Sequence, residues 1–433
     1  MTVSVVGAGL AGCEAAWQLA RFGISVELFE MKPNKFSPAH VNADFAELVC
    51  SNSFRSDDIS NAAGLLKEEM RKLNSLIISC ADKTRVPAGS ALAVDRLKFS
   101  ELVTERINNH PNIKVTTREI ADIPTGRIII ASGPLTSNDL SEKLASLLPD
   151  EKFLSFYDAA APIVTFESID MQSAYFASRY GKGDADYINC PLNRDEYLAF
   201  LRELASAEGA EIHGFEDSKV FEGCLPIEVM ARRGEDTMRF GPLKPVGLPE
   251  PDTGKEPYAV VQLRKDNAEG TLYNLVGFQT HLKFSHQKRV FSMIPALKDA
   301  EFVRYGVMHR NTYLDSPKIL DRYFRLKKDL RIGFTGQITG VEGYVESAAS
   351  GLLVGLETAR ELLGKSPIDF PQTTAIGALP LYVSGGSVSN FQPMNINFGL
   401  IEKISGKFKG KKEKNAAISK RALEVIDEIA KNI

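Results

Sequence analysis

The chain has 433 residues, 44% hydrophobic and 25% charged, more than one hydrophobic core usually serves, so two domains with a cleft between them are expected. No apolar run approaches the roughly 18 residues of a membrane helix, and no basic leader precedes the first β-type run, which predicts a globular cytoplasmic protein without membrane contact. A net charge of −3 excludes a broadly basic nucleic-acid binder, so any RNA surface must be local.

In chain order, residues 2–6 read as a short buried strand, followed by Gly7-Ala8-Gly9-Leu10-Ala11-Gly12 and a helical run over 13–21 that stops at Gly23. A second strand over 24–29 ends at Glu30, eighteen residues past Gly12. This is the dinucleotide-binding fingerprint. Gly7 permits the tight turn, Gly9 lets backbone amides approach a pyrophosphate, and Gly12 lets helix and strand pack closely. The helix start offers partial positive charge, and the acid accepts ribose hydroxyls.

Further on, Phe45 to Arg55 surrounds Cys50 with Ser51, Asn52, Ser53 and Arg55, a polar setting able to favour a thiolate. Residues 127–134 read as a buried strand ending in the Gly133-Pro134 turn. From about 151 to 303 the pattern changes to short alternating runs, a mixed sheet with helices, including a helix over 194–207 and a proline-rich loop over 241–251 directed toward the cofactor. Within it, Cys224 stands between Gly223 and Leu225-Pro226 on what should be a rigid loop.

In the C-terminal part, residues 331–337 read as a strand ending in glycine, and 340–355 as a turn opening a helix with small residues on one face. FAD folds return to the first glycine turn through such an element, which makes Gly336, Gln337, Glu342 and Gly343 cofactor-binding candidates and favours FAD over NAD. The expected fold is therefore α/β: a doubly wound, Rossmann-like FAD-binding domain, discontinuous over 1–135 and 301–433, with an α+β domain inserted over 136–300. The lysine run 407–414 precedes a final helix.

The five cysteines, Cys13, Cys50, Cys80, Cys190 and Cys224, are odd in number and form no CxxC pair, so free thiols are expected and no metal site. Read without other knowledge, each is a small buried hydrophobe as readily as a nucleophile.

Several long blocks occur in order: the glycine motif, Pro38-Ala39-His40, Ala46 to Ser53, Glu222 to Glu228, Arg304 to Thr312, Gly336 to Tyr344 and Phe391 to Phe398. In these the chain closely resembles the folate- and FAD-dependent tRNA uracil-54 methyltransferase family, TrmFO, relatives of the GidA flavoproteins. The resemblance spans nearly the whole chain. It implies FAD, 5,10-methylenetetrahydrofolate as one-carbon donor, NADH or NADPH as reductant, and tRNA as the methyl acceptor at a T-loop uridine. It implies Cys224 as the thiolate that adds to uracil carbon 6, with Cys50 as the partner that removes the carbon-5 proton, or the two roles exchanged. Reduced flavin would carry the methylene and donate the hydride. It also implies His309 stacked on the folate pterin, with Asn311 nearby. Arg289 is a further candidate for the folate tail or RNA phosphate.

Cations Arg179, Lys182, Arg232, Arg233, Lys283 and Lys288, interleaved with Tyr180, Phe240 and Phe284, are candidate RNA contacts. Readings left open are a ribosomal RNA target with the same chemistry, the wobble-uridine flavoproteins, and a flavin-bearing RNA-binding protein without turnover. No oligomeric state is implied.

Overall fold

A computed structural model describes residues 2–148, 154–181, 184–210, 225–385 and 391–433. The strands Thr2–Val6, Ser25–Glu30, Ile113–Thr117, Arg127–Ile130 and Asp329–Phe334 form a parallel sheet, with Arg325–Leu326 antiparallel at one edge. Its spatial order runs Arg325–Leu326, Asp329–Phe334, Arg127–Ile130, Thr2–Val6, Ser25–Glu30, Ile113–Thr117. The first strand lies mid-sheet and the chain winds outward from it in both directions, the doubly wound order. Ile128, Ile129 and Ile130 are fully buried, as befits a strand covered on both faces.

Two helices determine how this sheet meets a ligand. Leu10–Arg21 begins directly after the glycine turn, three residues earlier than its apolar pattern suggests, because Gly9 in extended conformation serves as its N-cap. Tyr344–Leu362 crosses it at backbone contact: a Cβ on Gly351 would stand 2.3 Å from the Ala11 carbonyl oxygen, and one on Gly355 2.6 Å from that of Ala15. Only glycine permits that approach. The small-residue face read from the sequence is thus the crossing itself.

Between Glu30 and Ile113 the chain makes an excursion not anticipated from the sequence. A small antiparallel sheet, Ser53–Ser56, Ala91–Val94 and Arg85–Val86, is built there with the helices Ala62–Lys72, Leu76–Lys83 and Arg96–Asn108.

A second core gathers around another sheet of six strands, ordered Tyr175–Ala177, Tyr187–Leu192, Ala259–Lys265, Leu272–Leu275, Ile163–Thr165, Phe302–Arg304. Every pairing in it is antiparallel rather than mixed. The helix Arg194–Ser206 covers it and starts with a capping box, Asn193 accepting from the Glu196 amide while Glu196 accepts from that of Asn193. The proline-rich 241–251 loop packs on this unit's own edge, where Tyr180 N–H donates to Gly247 O at 2.9 Å and Val260 N–H to Leu243 O at 3.1 Å. It lines neither cavity described below, a correction to the path expected from the sequence.

The chain enters this second unit along Leu154–Ala159 and leaves along Met308–Tyr313, and these two segments pair as an antiparallel ribbon. Helix Asn138–Leu147, before the ribbon, buries Leu140 and Leu144 in the first core. No helix is long and apolar enough to cross a membrane among the described residues.

Candidate functional site

The glycine turn opens onto a cavity of about 1170 Å³, counting the open solvent at its mouth. Each glycine there has a distinct reason. Gly7 has φ +101°, and a Cβ on it would come within 2.6 Å of Ala131 O. A Cβ on Gly12 would come within 1.8 Å of Gly7 O. Around Gly9, by contrast, nothing stands within 4 Å of where a Cβ would be, so its backbone faces open cavity. The Leu10–Arg21 helix carries no side-chain cap, which leaves its first amides available to an anion.

Glu30 lines the same cavity and is 7% exposed. Its two oxygens accept the Ala8 amide at 2.8 Å and the Lys32 amide at 3.0 Å, which aims the carboxylate and leaves each oxygen a lone pair for a hydroxyl. Gly7 to Ala11, Glu30, Ser132 to Thr136, Gly336 and Gln337 therefore surround one elongated space. A flavin dinucleotide fits this donor set: amides and a helix start for pyrophosphate, an aimed carboxylate for ribose. Gly12 supports the turn from behind.

A second cavity, about 1000 Å³, adjoins the first and shares Val49, Pro134, Leu135, Gln337 and Tyr344 as walls. It brings together Cys50, Asn311, Gln337, Glu342 and Gly343, which lie as far apart as residues 50 and 343 in sequence. Gln337 Nε2 donates to Glu342 Oε2 at 2.6 Å, and Asn395 Nδ2 to Glu342 O at 2.6 Å, fixing the rim where the cavities meet. Asn311 is 4% exposed.

Cys50 is half-buried, whereas Cys13, Cys80 and Cys190 are buried. Burial raises those three thiols, Cys80 to about 12, and so keeps them protonated and inert. The Cys50 Sγ lies 3.6 Å from Ala159 O, at the ribbon. The Tyr344 hydroxyl oxygen accepts the Cys50 amide at 2.7 Å and the Ser51 amide at 3.2 Å. Burial raises the Tyr344 phenol well above its ordinary value, so it stays neutral as an acceptor here. Beside it, Arg55 pairs with the buried Glu346 in the first turn of the Tyr344–Leu362 helix.

Cys224 lies outside the described residues. Three residues further along the chain, the Ile227 amide donates at 2.7 Å to the carbonyl of Gln279, a residue lining the second cavity. Helix Ile227–Arg233 is held by Glu228, which accepts from the Thr280 hydroxyl at 2.8 Å and the His281 amide at 2.9 Å. His309 sits on the strand Met308–Tyr313 opposite Asp158, two residues from Asn311; its side chain lies outside the description.

Arg289 is not brought to either cavity. It stands half-exposed on Phe284–Phe291 and pairs with Glu203 at 2.7 Å. Of the other cations, Arg179 donates to Val246 O, Lys244 O and Gln262, Arg232 to Ala205 O, and Lys283 to Glu208. Lys182 lies outside the described residues. Sequence reading did not single out Tyr344, Arg96 or Arg304, although Tyr344 and Arg304 fall inside blocks it recognised.

These features define a two-unit α/β protein that holds a dinucleotide against a thiol-bearing cavity. A family profile described as "Glucose inhibited division protein A" matches residues 2–366. A methylenetetrahydrofolate–tRNA-(uracil-5-)-methyltransferase TrmFO of Acetivibrio thermocellus is 61% identical over 98% of this chain and 98% of its own. Those of Ligilactobacillus salivarius and Enterococcus faecalis are 57% and 56% identical, over 98% and 100% of this chain and 97% and 99% of theirs. Among solved structures, Aquifex aeolicus GidA in its form II crystal superposes with a TM-score of 0.71 at 17% identity, covering 99% of this chain and 73% of that one. At that identity the match shows a shared fold. The chain belongs to the TrmFO family, within the wider GidA group of flavoproteins.

Proposed function

We propose that this protein methylates carbon 5 of the T-loop uridine of tRNA, position 54, taking the one-carbon unit from 5,10-methylenetetrahydrofolate with FAD as its cofactor. The observation that carries the reading is the junction of the two cavities. The dinucleotide cradle ends where the half-buried Cys50 begins, and both share Gln337 and Tyr344. Full-length relatives above 55% identity bearing the methyltransferase name support it.

The chain's own groups divide the work. Amides at Gly9 to Ala11 and the Glu30 carboxylate hold the dinucleotide. Bound FAD, reduced by NADH or NADPH, supplies the carrier and the two electrons that complete a methyl group. One thiolate, from Cys224, adds to uracil carbon 6, and the electron pair displaced onto the ring makes carbon 5 nucleophilic. Carbon 5 then bonds to the one-carbon unit, Cys50 takes the carbon-5 proton as that unit's bond to its carrier breaks, and carbon 6 releases the thiolate as the exocyclic carbon receives the two electrons as hydride. His309 and Asn311 lie on the strand leaving the inserted unit and serve the pterin or the base. The target uridine leaves its stack to reach the cavity, which a loop permits at less cost than a duplex. The expected bounds, 1–135 with 301–433 for the dinucleotide unit and 136–300 for the inserted one, shift to the ribbon: helix Asn138–Leu147 goes with the dinucleotide unit and Phe302–Arg304 with the inserted one. We place the reaction in the cytoplasm, where tRNA and folate meet.

The test is transfer of label from isotopically labelled methylenetetrahydrofolate, with NADH or NADPH, to unmodified tRNA and ribosomal RNA transcripts. Label at the T-loop uridine, lost in both Cys224→Ala and Cys50→Ala, is the expected result. Label confined to ribosomal RNA relocates the target. A fully reducible flavin with no label anywhere overturns the reading.

A further inference from the structure

The peptide that carries Cys50 is held from both units. The Val49–Cys50 peptide is planar, with its oxygen and its amide hydrogen on opposite edges. On one edge Arg304 Nη2 donates to Val49 O at 2.7 Å; on the other the Cys50 amide donates to Tyr344 at 2.7 Å. A peptide plane pinned at both edges cannot rotate, and because the Tyr344 hydroxyl also accepts the Ser51 amide at 3.2 Å, the backbone is held on both sides of Cys50 and so orients its Cα–Cβ bond.

The neighbouring residues are held in the same manner. Arg96 donates to Leu48 O, and Asn52, fully buried, donates to Val94 O at 2.9 Å and Lys265 O at 2.8 Å while accepting from Arg264 Nε at 3.0 Å. Tyr344 and Arg96 belong to the first unit; Arg264, Lys265 and Arg304 belong to the inserted one.

Arg304 differs from Arg96 in what its charge meets. Arg96 is balanced by a double hydrogen bond to Asp266, at 2.8 and 3.2 Å. The hydrogen bond that Arg304 makes among the described residues is to a backbone carbonyl alone. Partial burial, with the nearby Arg96 charge, lowers the Arg304 pKa against the opposing pull of Tyr344, Glu47 and Asp266. Its backbone is rigid: Phe302–Arg304 pairs with Ile163–Thr165, and two residues on, Gly306 exchanges hydrogen bonds of 2.8 Å in both directions with Gln287.

We propose that Arg304 is a positioning residue for Cys50, setting the direction of its thiol only while the inserted unit is docked. The inference rests on the methyltransferase reading. It makes the Cys50 geometry conditional on the segment that also carries His309 and Asn311, so that the thiol and the substrate-facing strand are aligned together. Loss of the contact leaves the thiol present but misdirected, and a misplacement of this kind costs on the order of 10²-fold in rate.

The test compares Arg304→Met, Arg304→Gln and Arg304→Lys with wild type at equal flavin occupancy. The measurements are the rate of flavin reduction, kcat and KM for methyl transfer, and the alkylation rate of Cys50 by iodoacetamide, resolved by peptide mass. Expected is a fall in kcat of about 10–100-fold for Arg304→Met, with KM changed less than about 2-fold, an altered Cys50 alkylation rate and normal flavin reduction. Lysine and glutamine, each able to donate to one carbonyl, recover much of the loss. If the methionine variant does not retain flavin, the glutamine and lysine variants decide by the same kcat and alkylation readouts. Wild-type kcat in the methionine variant overturns the proposal, as does a defect confined to KM, or an equal loss in all three with Cys50 alkylation unchanged. Should wild type transfer no label at all, the methyltransferase reading fails, while the alkylation comparison still decides the role of Arg304.

Discussion

Replacing Gly12 by alanine tests the cofactor cradle most directly. The new Cβ would lie 1.8 Å from Gly7 O. Ordinary contact begins near 3.5 Å, so the Leu10–Arg21 helix and the glycine turn must separate by about 1.7 Å. The helix has little room to move, because Gly351 and Gly355 already bring the crossing helix into backbone contact at Ala11 and Ala15. Overpacking of this kind costs about 1–3 kcal/mol in stability. The larger effect is on binding. Two charge-assisted hydrogen bonds from the helix start, at about 1.5–3 kcal/mol each, are pulled off target, which weakens FAD by about 10²–10⁴-fold. Flavin absorbance of the purified protein and titration of the apoprotein with FAD read this out. Gly23→Ala, at a φ of +75° with open space around it, serves as the control and should bind FAD normally. A Gly12→Ala protein that binds FAD within about 2-fold of wild type would refute the packing argument.

Asp266→Ala strands the Arg96 guanidinium, in a pair whose side chains are 8% and 5% exposed. A urea titration should show a loss of about 3–5 kcal/mol, largely recovered in the double variant Arg96→Met/Asp266→Leu; a single variant as stable as wild type contradicts the account. Stability should also vary with pH through two neighbours on helix Ala62–Lys72. Burial lifts the Glu69 carboxyl from 4.5 to about 8 and brings Lys67 from 10.5 down to about 8. The raised acid contributes stability that is full below pH 4.5 and lost as pH rises through about 8; the depressed amine contributes stability that is full above 10.5 and lost as pH falls through about 8. Their sum is a dip near pH 8 in thermal or urea stability. Glu69→Gln flattens the acid limb and Lys67→Met the alkaline one, whereas limbs unchanged in both variants would disprove the assignment.

What was legible in the sequence was what local spacing determines. Gly7, Gly9, Gly12 and Glu30 form a unit within one strand, one helix and the next strand, so chain connectivity alone brings them together. The same holds for the Gly336 to Gly355 turn and helix, whose glycines reported the crossing before its partner was known. The excursion over 53–108 left little trace. Its strands are two to four residues long, too short for an alternation to register, and its helices are covered on more than one side. The antiparallel character of the second sheet was equally hidden, since pairing direction depends on connections rather than on any strand's own residues. Arg289 attracted attention as a free planar cation, but its partner Glu203 lies 86 residues away.

The seam is where sequence reasoning had least to work with, and physics explains why. Arg96 and Asp266 are 170 residues apart, Arg304 and Val49 are 255, and Cys50 and Tyr344 are 294. None of these pairings leaves a local periodicity, because each acts through one side chain reaching a backbone group or a lone carboxylate on a distant stretch of chain. A cysteine flanked by polar residues looks much like a solvated turn until those partners are in place. Once they are, the polar character of Ser51-Asn52-Ser53 has a different meaning. Asn52 is wholly buried and serves as the bolt between the units, and the half-exposed thiol two residues before it owes its direction to that bolt and to the two groups on the Val49–Cys50 peptide. Chemistry at Cys50 is therefore a property of the docked pair of units rather than of the loop, and separating the units should silence the thiol without removing it.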